Sequence, residues 1–264
     1  MRTTIKKIYD KKAAKEKIAV LTAYDFPMAR VLDEAGVDII LVGDSLGMVI
    51  LGYDSTVPVT MRDMLHHTRA VSRAVKKSLV VADMPFGSYD TPERALRNAL
   101  RLMKEAGADA VKLEGGAKIE KQVSCLVRAG VPVMGHVGLT PQTASLLGGY
   151  HVQGRNAKQA GQIFKEAVLL DALGVFAIVL ECVPSGLTKK ITRAVQCPTI
   201  GIGAGVHADG QVLVLNDLLG LESSVRPKFV RKYAQFGKAA RKAALAYVQD
   251  VKESKFPTVQ ESFE

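Results

Sequence analysis

The sequence predicts an α/β protein of the (β/α)8 class, a TIM barrel, formed as a single domain over residues 1–264. Short apolar runs rich in β-branched residues recur along the chain, amphipathic stretches lie between most of them, and several of these stretches end in glycine. Apolar strands that alternate with helices are typical of a parallel sheet covered on both faces. Eight such units in about 250 residues favour a closed barrel, with an open doubly wound sheet as the alternative.

The strand candidates are apolar runs that turn residues follow: Ile18–Ala23, Val37–Gly43, Leu79–Asp83, Asp109–Glu114, Val131–His136, Val175–Glu181, Pro198–Gly203 and Gln211–Leu215. The helix candidates have apolar residues at i, i+3 and i+4: Phe26–Ala35, Met61–Val75, Thr91–Ala106, Lys118–Ala129, Lys158–Leu173 and Ser185–Val195. Glycines at 36, 107, 130 and 174 are expected to end the helices that precede them. The final βα unit is the least clearly marked.

Two connections are longer than the others, Asp44–Thr60 after the second run and Val137–Arg155 after the fifth. Loops of this length within a compact domain are more often functional than structural. We therefore expect both connections to contribute to a site.

The formal net charge of +10 is concentrated in two segments, an N-terminal one (1–17) and a C-terminal helical one (226–255), whereas residues 18–225 carry 20 charges of each sign. Aromatic residues make up 6% of the chain, tryptophan is absent, and no nucleic-acid-binding motif is evident. We interpret the basic segments as solvated terminal helices and predict no nucleic-acid partner. Steering of an anionic ligand, or non-specific contact with a polyanion, is the lesser alternative.

The compartment is predicted from what the chain lacks. No apolar run reaches about 18 residues without a charge, so we expect no membrane span. The Lys-rich N-terminus is followed by no apolar signal-peptide region. The cysteines, Cys125, Cys182 and Cys197, are far apart with no CxxC pair, which indicates a reducing, cytoplasmic setting.

Titratable residues interrupt the apolar runs at their carboxyl ends, the rim at which barrel enzymes assemble their active sites. They end the second to sixth runs in order: Asp44, Asp83, Lys112 with Glu114, His136, and Glu181. Because side chains alternate along a strand, Lys112 and Glu114 share the face opposite Val111 and Leu113 and are expected to point into the barrel. Inward charges must pair or bind a ligand, since unpaired ones cost several kcal/mol each.

The residue types indicate the ligand. Asp44, Asp83 and Glu114 are hard oxygen donors without a neighbouring cysteine, a set that suits Mg²⁺ better than zinc. Lys112 can neutralise a substrate carboxylate, and the hydroxyl and N–H of Ser45 could bind one as well. The set suggests a bidentate 2-oxo acid as the substrate, with Glu181 available as a base.

Other candidates carry weaker signals. His136 is either a donor that faces the ligand or a satisfied core histidine. The glycines of Gly201–Gly205 could cradle a phosphate, although a tight turn explains them as well. We expect His66 and His67 to be structural, and alternation directs Cys182 away from the pocket.

At these residues the sequence resembles the ketopantoate hydroxymethyltransferase (3-methyl-2-oxobutanoate hydroxymethyltransferase) family, from about Lys17 to about Tyr233. The motifs that carry the resemblance are LVGDSLGMVILGYDSTVPVT (Leu41–Thr60), ADMPFGSY (Ala82–Tyr89), VKLEGG (Val111–Gly116), GHVGLTPQ (Gly135–Gln142), GGYHVQGR (Gly148–Arg155), LECVP (Leu180–Pro184), IGIGAG (Ile200–Gly205) and DGQVLV (Asp209–Val214). Long motifs in a consistent order are a more specific signal than one short glycine pattern.

The resemblance implies a Mg²⁺-binding barrel that assembles as a homodecamer of two pentameric rings. It implies transfer of a one-carbon unit from 5,10-methylenetetrahydrofolate to 3-methyl-2-oxobutanoate, the first committed step of pantothenate synthesis. The implied roles, carried over residue by residue, are metal binding by Asp44, Asp83 and Glu114, contact with the oxo acid by Asp44, Ser45, Asp83 and Lys112, and proton abstraction by Glu181.

Two other functions remain open at this point. Another Mg²⁺-dependent barrel, a lyase or mutase that acts on a pyruvate-like 2-oxo acid, would need no folate. A non-enzymatic protein that binds polyanions through its basic termini would leave the inward carboxylates unexplained, because they would repel such a partner.

Overall fold

The computed structural model describes residues 2–221 and 227–263 and contains a closed barrel of parallel strands in the order β1 to β8. Each strand pairs with the next in sequence, and β8 pairs with β1. The strands are β1 Ile18–Thr22, β2 Ile39–Val42, β3 Leu79–Asp83, β4 Ala110–Glu114, β5 Val133–Gly138, β6 Ala177–Glu181, β7 Thr199–Ile202 and β8 Gly210–Leu213. The (β/α)8 prediction is confirmed, and the alternative prediction of an open doubly wound sheet is wrong.

The helices alternate with the strands through most of the barrel. They are α1 Ile5–Ala13, α2 Phe26–Glu34, α3 Leu46–Val49, α4 Met61–Ala74, α5 Pro92–Lys104, α6 Glu120–Arg128, α7 Ala157–Ala172, α8 Ser185–Ala194, α9 Leu215–Leu219 and α10 Phe236–Lys252. Short 3-10 helices cover Ala117–Ile119, Pro141–Leu147 and Val259–Glu261. Each of the six predicted helices is present, with ends that differ from the prediction by at most two residues.

Several strands begin later than predicted because the chain first has to close the preceding helix. After α2, Gly36 has a φ of +83° and the N–H of Val37 donates to the Leu32 carbonyl at 3.3 Å. This backbone arrangement ends a helix, and the left-handed φ favours glycine. The residue after the glycine is therefore used by the helix end and is not available to the sheet.

The last strand was predicted one residue too late. β8 starts at Gly210 and ends at Leu213, whereas Leu215, the last residue of the predicted run, begins α9. A side chain at Gly210 would lie 2.5 Å from the carbonyl oxygen of Ile18 on β1. Glycine thus permits the close approach with which the barrel closes.

Packing divides the chain into two compact units, residues 1–214 and 215–264. The first unit contains the barrel, and the second contains α9 and α10. No described helix is long and apolar enough to cross a lipid bilayer.

The basic N-terminal segment forms a helix that is solvated on one face only. Ile8 on α1 is fully buried and belongs to the barrel core. Lys11 Nζ lies 2.7 Å from Asp38 Oδ1, and Lys12 Nζ lies 3.1 Å from Asp209 Oδ2, with all four side chains largely buried. Because these lysines pair with aspartates that precede β2 and β8, α1 is anchored to the barrel, and the expectation of a solvated helix is wrong for its inner face.

The C-terminal segment agrees better with its prediction, since no residue of α10 is buried. Met1 and Arg226, the first residues of the two predicted basic segments, lie outside the described residues.

The barrel interior changes from apolar to polar along strands such as β3 and β6. Leu79 and Val81 on β3 belong to the buried core, and Asp83 is the next residue on the same face. On β6, Ala177 and Val179 belong to the core and precede Glu181 in the same way. Because strand side chains alternate with a period of two, the residues that fill the core also aim the terminal acids at the mouth.

Candidate active site

The side chains of Asp44, Asp83, Lys112, Glu114, His136 and Glu181 form a polar cluster at the carboxyl ends of the strands, the mouth of the barrel. Lys112 lies at the centre of this cluster. Its Nζ atom is 3.1 Å from Asp83 Oδ1, 3.8 Å from Glu114 Oε1 and 3.3 Å from His136 Nδ1. Burial alone would lower the pKa of Lys112, but the charges of Asp83, Glu114 and Asp44 outweigh it and raise that pKa. The amine is therefore a fixed positive charge at the bottom of the mouth.

Asp44 follows β2 and faces Asp83 on the neighbouring strand. Its backbone N–H donates to Asp83 Oδ2 at 3.1 Å. Burial and the nearby charge of Asp83 raise the pKa of Asp44 to about 7, although Lys112 acts in the opposite direction. A side chain at Gly43 would lie 2.7 Å from Ser45 Oγ, so glycine at this position makes room for the turn that presents Asp44 and Ser45.

Glu114 is held by a residue that the sequence analysis did not single out. The backbone N–H of Gln142 donates to Glu114 Oε2 at 3.0 Å, and Gln142 Nε2 donates to Asp44 Oδ2 at 2.8 Å. Burial raises the pKa of Glu114 well above its usual range, with Lys112 opposing this effect. Gln142 was missed because it carries no titratable group, although it ends one of the quoted motifs and lies in the long connection after β5.

His136 connects Lys112 with Glu181. Its Nε2 atom lies 3.3 Å from Glu181 Oε2, outside hydrogen-bond geometry. Burial and the charge of Lys112 lower the pKa of His136, so the imidazole is neutral near pH 7. An ammonium only donates hydrogen bonds, so Nδ1 accepts from Lys112 and the ring proton is assigned to Nε2, which faces Glu181. His136 therefore belongs to the polar cluster and is not an isolated core histidine.

Ser45 is positioned by Tyr24, a second residue that sequence reasoning missed. Tyr24 follows β1 and is buried, and its hydroxyl lies 2.8 Å from Ser45 Oγ. His67 Nδ1 lies 2.6 Å from the carbonyl oxygen of Tyr24, a contact that agrees with the structural role predicted for His67. Tyr24 has no sequence signal of its own, because its relation to Ser45 depends on the pairing of β1 with β2.

The remaining candidates do not join the cluster. Gly203 and Gly205 have positive φ values of +62° and +80°, and a side chain at Gly205 would lie 2.3 Å from Ser185 Oγ. The turn and this close approach account for the glycines without a phosphate. Burial raises the pKa of Cys182 to about 12, so its thiol stays protonated and is a poor nucleophile.

The residues at the mouth suit a divalent cation by charge and donor type. Four carboxylates, Asp44, Asp83, Glu114 and Glu181, contribute to the cluster. Among the described residues, Lys112 is the one lysine or arginine within ion-pair distance of them. Asp83 Oδ1 is buried and has no partner in hydrogen-bond geometry, and Lys112 Nζ, 3.1 Å away, is its ion-pair partner. Hard oxygen donors with excess negative charge are what Mg²⁺ requires.

As the side chains stand, no group of three or more of the described His, Cys, Asp and Glu residues is arranged to hold a metal ion by itself. Mg²⁺ is commonly held by one or two carboxylates together with substrate oxygens and water, so a complete protein cage is not needed. The donor set therefore fits the ion.

Comparison with known proteins agrees with the sequence resemblance. The family model described as ketopantoate hydroxymethyltransferase matches residues 2–259. A 3-methyl-2-oxobutanoate hydroxymethyltransferase of Carboxydothermus hydrogenoformans is 55% identical over 263 residues, which cover 99% of this chain and 95% of that protein. The enzyme of the same name from Thermus thermophilus is 52% identical, with complete coverage of both chains.

Two solved structures with the same fold are much more distant in sequence. Phosphonopyruvate hydrolase, in a complex with oxalate and Mg²⁺, has a TM-score of 0.64 at 11% identity and covers 99% of this chain and 93% of its own. The structure of 2,3-dimethylmalate lyase, a member of the PEP mutase/isocitrate lyase superfamily, has a TM-score of 0.58 at 14% identity. The match covers 100% of this chain and 93% of that one. At this level of identity the likeness establishes the barrel fold alone. With the family model and the full-length relatives in agreement, this chain belongs to the ketopantoate hydroxymethyltransferase family and is a hydroxymethyltransferase.

Proposed function

We propose that this enzyme transfers a one-carbon unit from 5,10-methylenetetrahydrofolate to 3-methyl-2-oxobutanoate, with Mg²⁺ bound at the mouth of the barrel. Water supplies the hydroxyl group, and the products are 2-dehydropantoate (ketopantoate) and tetrahydrofolate. The observation that carries the proposal is the full-length similarity, at 52–55% identity, to relatives named for the 3-methyl-2-oxobutanoate reaction. The buried acid–lysine cluster supports the same chemistry.

Binding of the oxo acid is assigned to the side of the cluster that can neutralise a carboxylate. Lys112 carries a fixed positive charge, and Ser45 adds a hydroxyl whose oxygen lies 2.8 Å from the Tyr24 hydroxyl. Asp44, Asp83 and Glu114 are the residues that would hold Mg²⁺. When bound, the ion acts as a Lewis acid that polarises the keto group and makes the neighbouring C3–H more acidic.

Glu181 is the base in this proposal. Its side chain is 15% exposed, whereas those of Asp83 and Glu114 are no more than 4% exposed, so Glu181 is the carboxylate that a substrate carbon can approach. It takes the proton from C3 of the oxo acid, and that carbon then forms a bond to the methylene carbon of the folate. Both bonds from the methylene carbon to folate nitrogens are broken in the overall reaction, water supplies the hydroxyl group, and tetrahydrofolate leaves. His136 Nε2, which carries the ring proton, lies 3.3 Å from Glu181 Oε2 and presents the positive end of its N–H dipole to this carboxylate.

The test is product analysis by mass spectrometry. The purified protein is incubated with 3-methyl-2-oxobutanoate and 5,10-methylenetetrahydrofolate, in Mg²⁺ or in EDTA. We expect ketopantoate, the oxo acid plus one CH₂O unit, to form only when folate and Mg²⁺ are both present. Formation of the product in EDTA, or cleavage of a pyruvate-like acid without folate as a lyase or mutase would do, would contradict the proposal.

The family resemblance also supports a homodecamer, a cytoplasmic location and a place in pantothenate synthesis, and we include these in the proposal. Light scattering coupled to size-exclusion chromatography tests the assembly, for which we expect ten copies of the 28.4 kDa chain. Elution as a monomer at micromolar concentration would contradict this part of the proposal and leave the chemistry untouched.

A further inference from the structure

Gln142 makes hydrogen bonds through its backbone N–H and through both ends of its side-chain amide. Its backbone N–H donates to Glu114 Oε2 at 3.0 Å, and Nε2 donates to Asp44 Oδ2 at 2.8 Å and to the Met84 carbonyl oxygen at 2.9 Å. Its Oε1 atom accepts a hydrogen bond from the hydroxyl of Tyr89. The side chain is 3% exposed. One uncharged residue therefore contacts a carboxyl group that follows β2 and another at the end of β4.

The direction of the Gln142 amide is determined by its partners. Nε2 faces the carbonyl oxygen of Met84, which only accepts hydrogen bonds, and Oδ2 of Asp44, which accepts when the carboxyl is ionised. Burial raises the pKa of Tyr89, with the Glu114 charge adding to the shift, so its hydroxyl stays protonated and donates to Oε1. A flipped amide would place Oε1 against two acceptors and leave the hydroxyl of Tyr89 without this acceptor.

These contacts use one oxygen of each carboxylate. Gln142 holds Oδ2 of Asp44 and Oε2 of Glu114, whereas Oε1 of Glu114 lies on the side of Lys112 and His136. A buried carboxylate that is held at one oxygen can direct the other at a ligand without searching through rotamers, which lowers the entropic cost of binding.

We propose that Gln142 is a positioning residue that orients Asp44 and Glu114 for the divalent cation, with Tyr89 fixing the direction of its amide. This inference rests on the proposed function, in which both acids contribute to the Mg²⁺ site. The competing explanation is that Gln142 only fills space and stabilises the connection after β5.

The experiment measures binding of Mn²⁺ alone, by the EPR signal of the free ion, so that it does not depend on turnover. The main variant is Gln142→Met, which keeps the length of the side chain and the backbone N–H but removes the amide. The second variant is Tyr89→Phe, which removes a single hydroxyl and leaves the amide present. The matched control is Gln122→Met, because Gln122 is also a buried glutamine whose Nε2 donates to a carbonyl oxygen, that of Asp90 at 3.1 Å.

Loss of a residue that orients metal ligands typically weakens metal affinity by about 10–100-fold. We expect a loss of this size for Gln142→Met, a smaller loss for Tyr89→Phe, and wild-type affinity for Gln122→Met whatever its melting temperature. In turnover assays, the Mg²⁺ concentration for half-maximal rate should rise in the first two variants, with kcat largely restored at saturating Mg²⁺.

Wild-type Mn²⁺ affinity in folded Gln142→Met would overturn the inference. If that variant does not fold, wild-type affinity in Tyr89→Phe would overturn it instead. Failure of the wild-type protein to bind Mn²⁺ at all would refute the proposed metal site itself, and is thereby distinguished from failure of the inference.

Discussion

Replacement of Asp44 by asparagine should stabilise the metal-free protein at alkaline pH. The folded protein holds this buried carboxyl with a pKa of about 7, compared with an ordinary value of 3.8. A folded-state pKa above the unfolded one means that the folded state binds more protons between these values, so stability falls as the pH rises through this window. At about 1.4 kcal/mol for each pKa unit, ionised Asp44 costs on the order of 4 kcal/mol at pH 8.

The same relation predicts how the gain depends on pH. At pH 5 the Asp44 carboxyl is protonated in the folded state but mostly ionised in the unfolded state. At this pH the loss of folding free energy caused by Asp44 has therefore reached only part of its full value. The advantage of Asp44→Asn over wild type should therefore grow by about 2–3 kcal/mol between pH 5 and pH 8. The assay is urea unfolding in EDTA at both pH values, at one protein concentration.

Asp54→Asn is the matched control, because Asp54 is an exposed aspartate in the same connection. It should change stability by no more than about 0.5 kcal/mol at either pH. Addition of Mg²⁺ should stabilise the wild-type protein more than Asp44→Asn, since the ion binds the charge that the variant lacks. Equal stability of wild type and Asp44→Asn at pH 8 in EDTA, or a difference that does not change with pH, would refute the reasoning.

Three further predictions concern other parts of the molecule. Glu181→Gln should still bind 3-methyl-2-oxobutanoate but lose solvent deuterium exchange at C3, measured by NMR; exchange at the wild-type rate would exclude Glu181 as the base. Gly138→Ala should lower both stability, by at least about 2 kcal/mol, and kcat, because Gly138 has a φ of +98° and its added side chain would lie 2.3 Å from the carbonyl oxygen of Glu181. The helical control Gly161→Ala, with open space around it, should be neutral or stabilising by up to about 1 kcal/mol, and the same result for Gly138→Ala would show that the backbone contact has no effect. Lys12→Met should destabilise the barrel by about 2–3 kcal/mol, measured by urea unfolding, because it leaves the largely buried Asp209 without its ammonium. Lys6→Met removes an exposed pair with Asp10 and should cost under about 0.5 kcal/mol, and equal effects of the two lysine variants would contradict the anchoring of α1.

Local patterns in the chain were sufficient for most of the fold. Apolar runs predicted the strands, i, i+3, i+4 spacing predicted the barrel helices, and period-two alternation predicted that Lys112 and Glu114 share a face. These features depend on neighbours a few residues apart, whose geometry the backbone determines. Strand ends were less accurate because residues such as Val37 complete the helix end before they can enter the sheet.

Parallel strands end at a common rim, and this brings predicted site residues together. The residues concerned are Asp44, Asp83, Lys112, Glu114, His136 and Glu181. The sequence could identify them because their charges interrupt apolar runs. It could not identify Tyr24 or Gln142, which carry no charge and lie outside the strands.

The sequence by itself determined the fold class, the family and the titratable residues at the strand ends, because each of these can be recognised from short-range patterns or motifs. Only the tertiary structure decided that α1 is anchored to the barrel through Lys11 and Lys12, that Lys112 contacts Asp83 and Glu114 together, and that Gln142 contacts Asp44 across 98 positions of sequence. Such contacts depend on closure of the barrel, which joins residues whose spacing along the chain carries no signal. The raised pKa of Asp44 has the same origin, since burial and the approach of Asp83 exist only once the strands are paired.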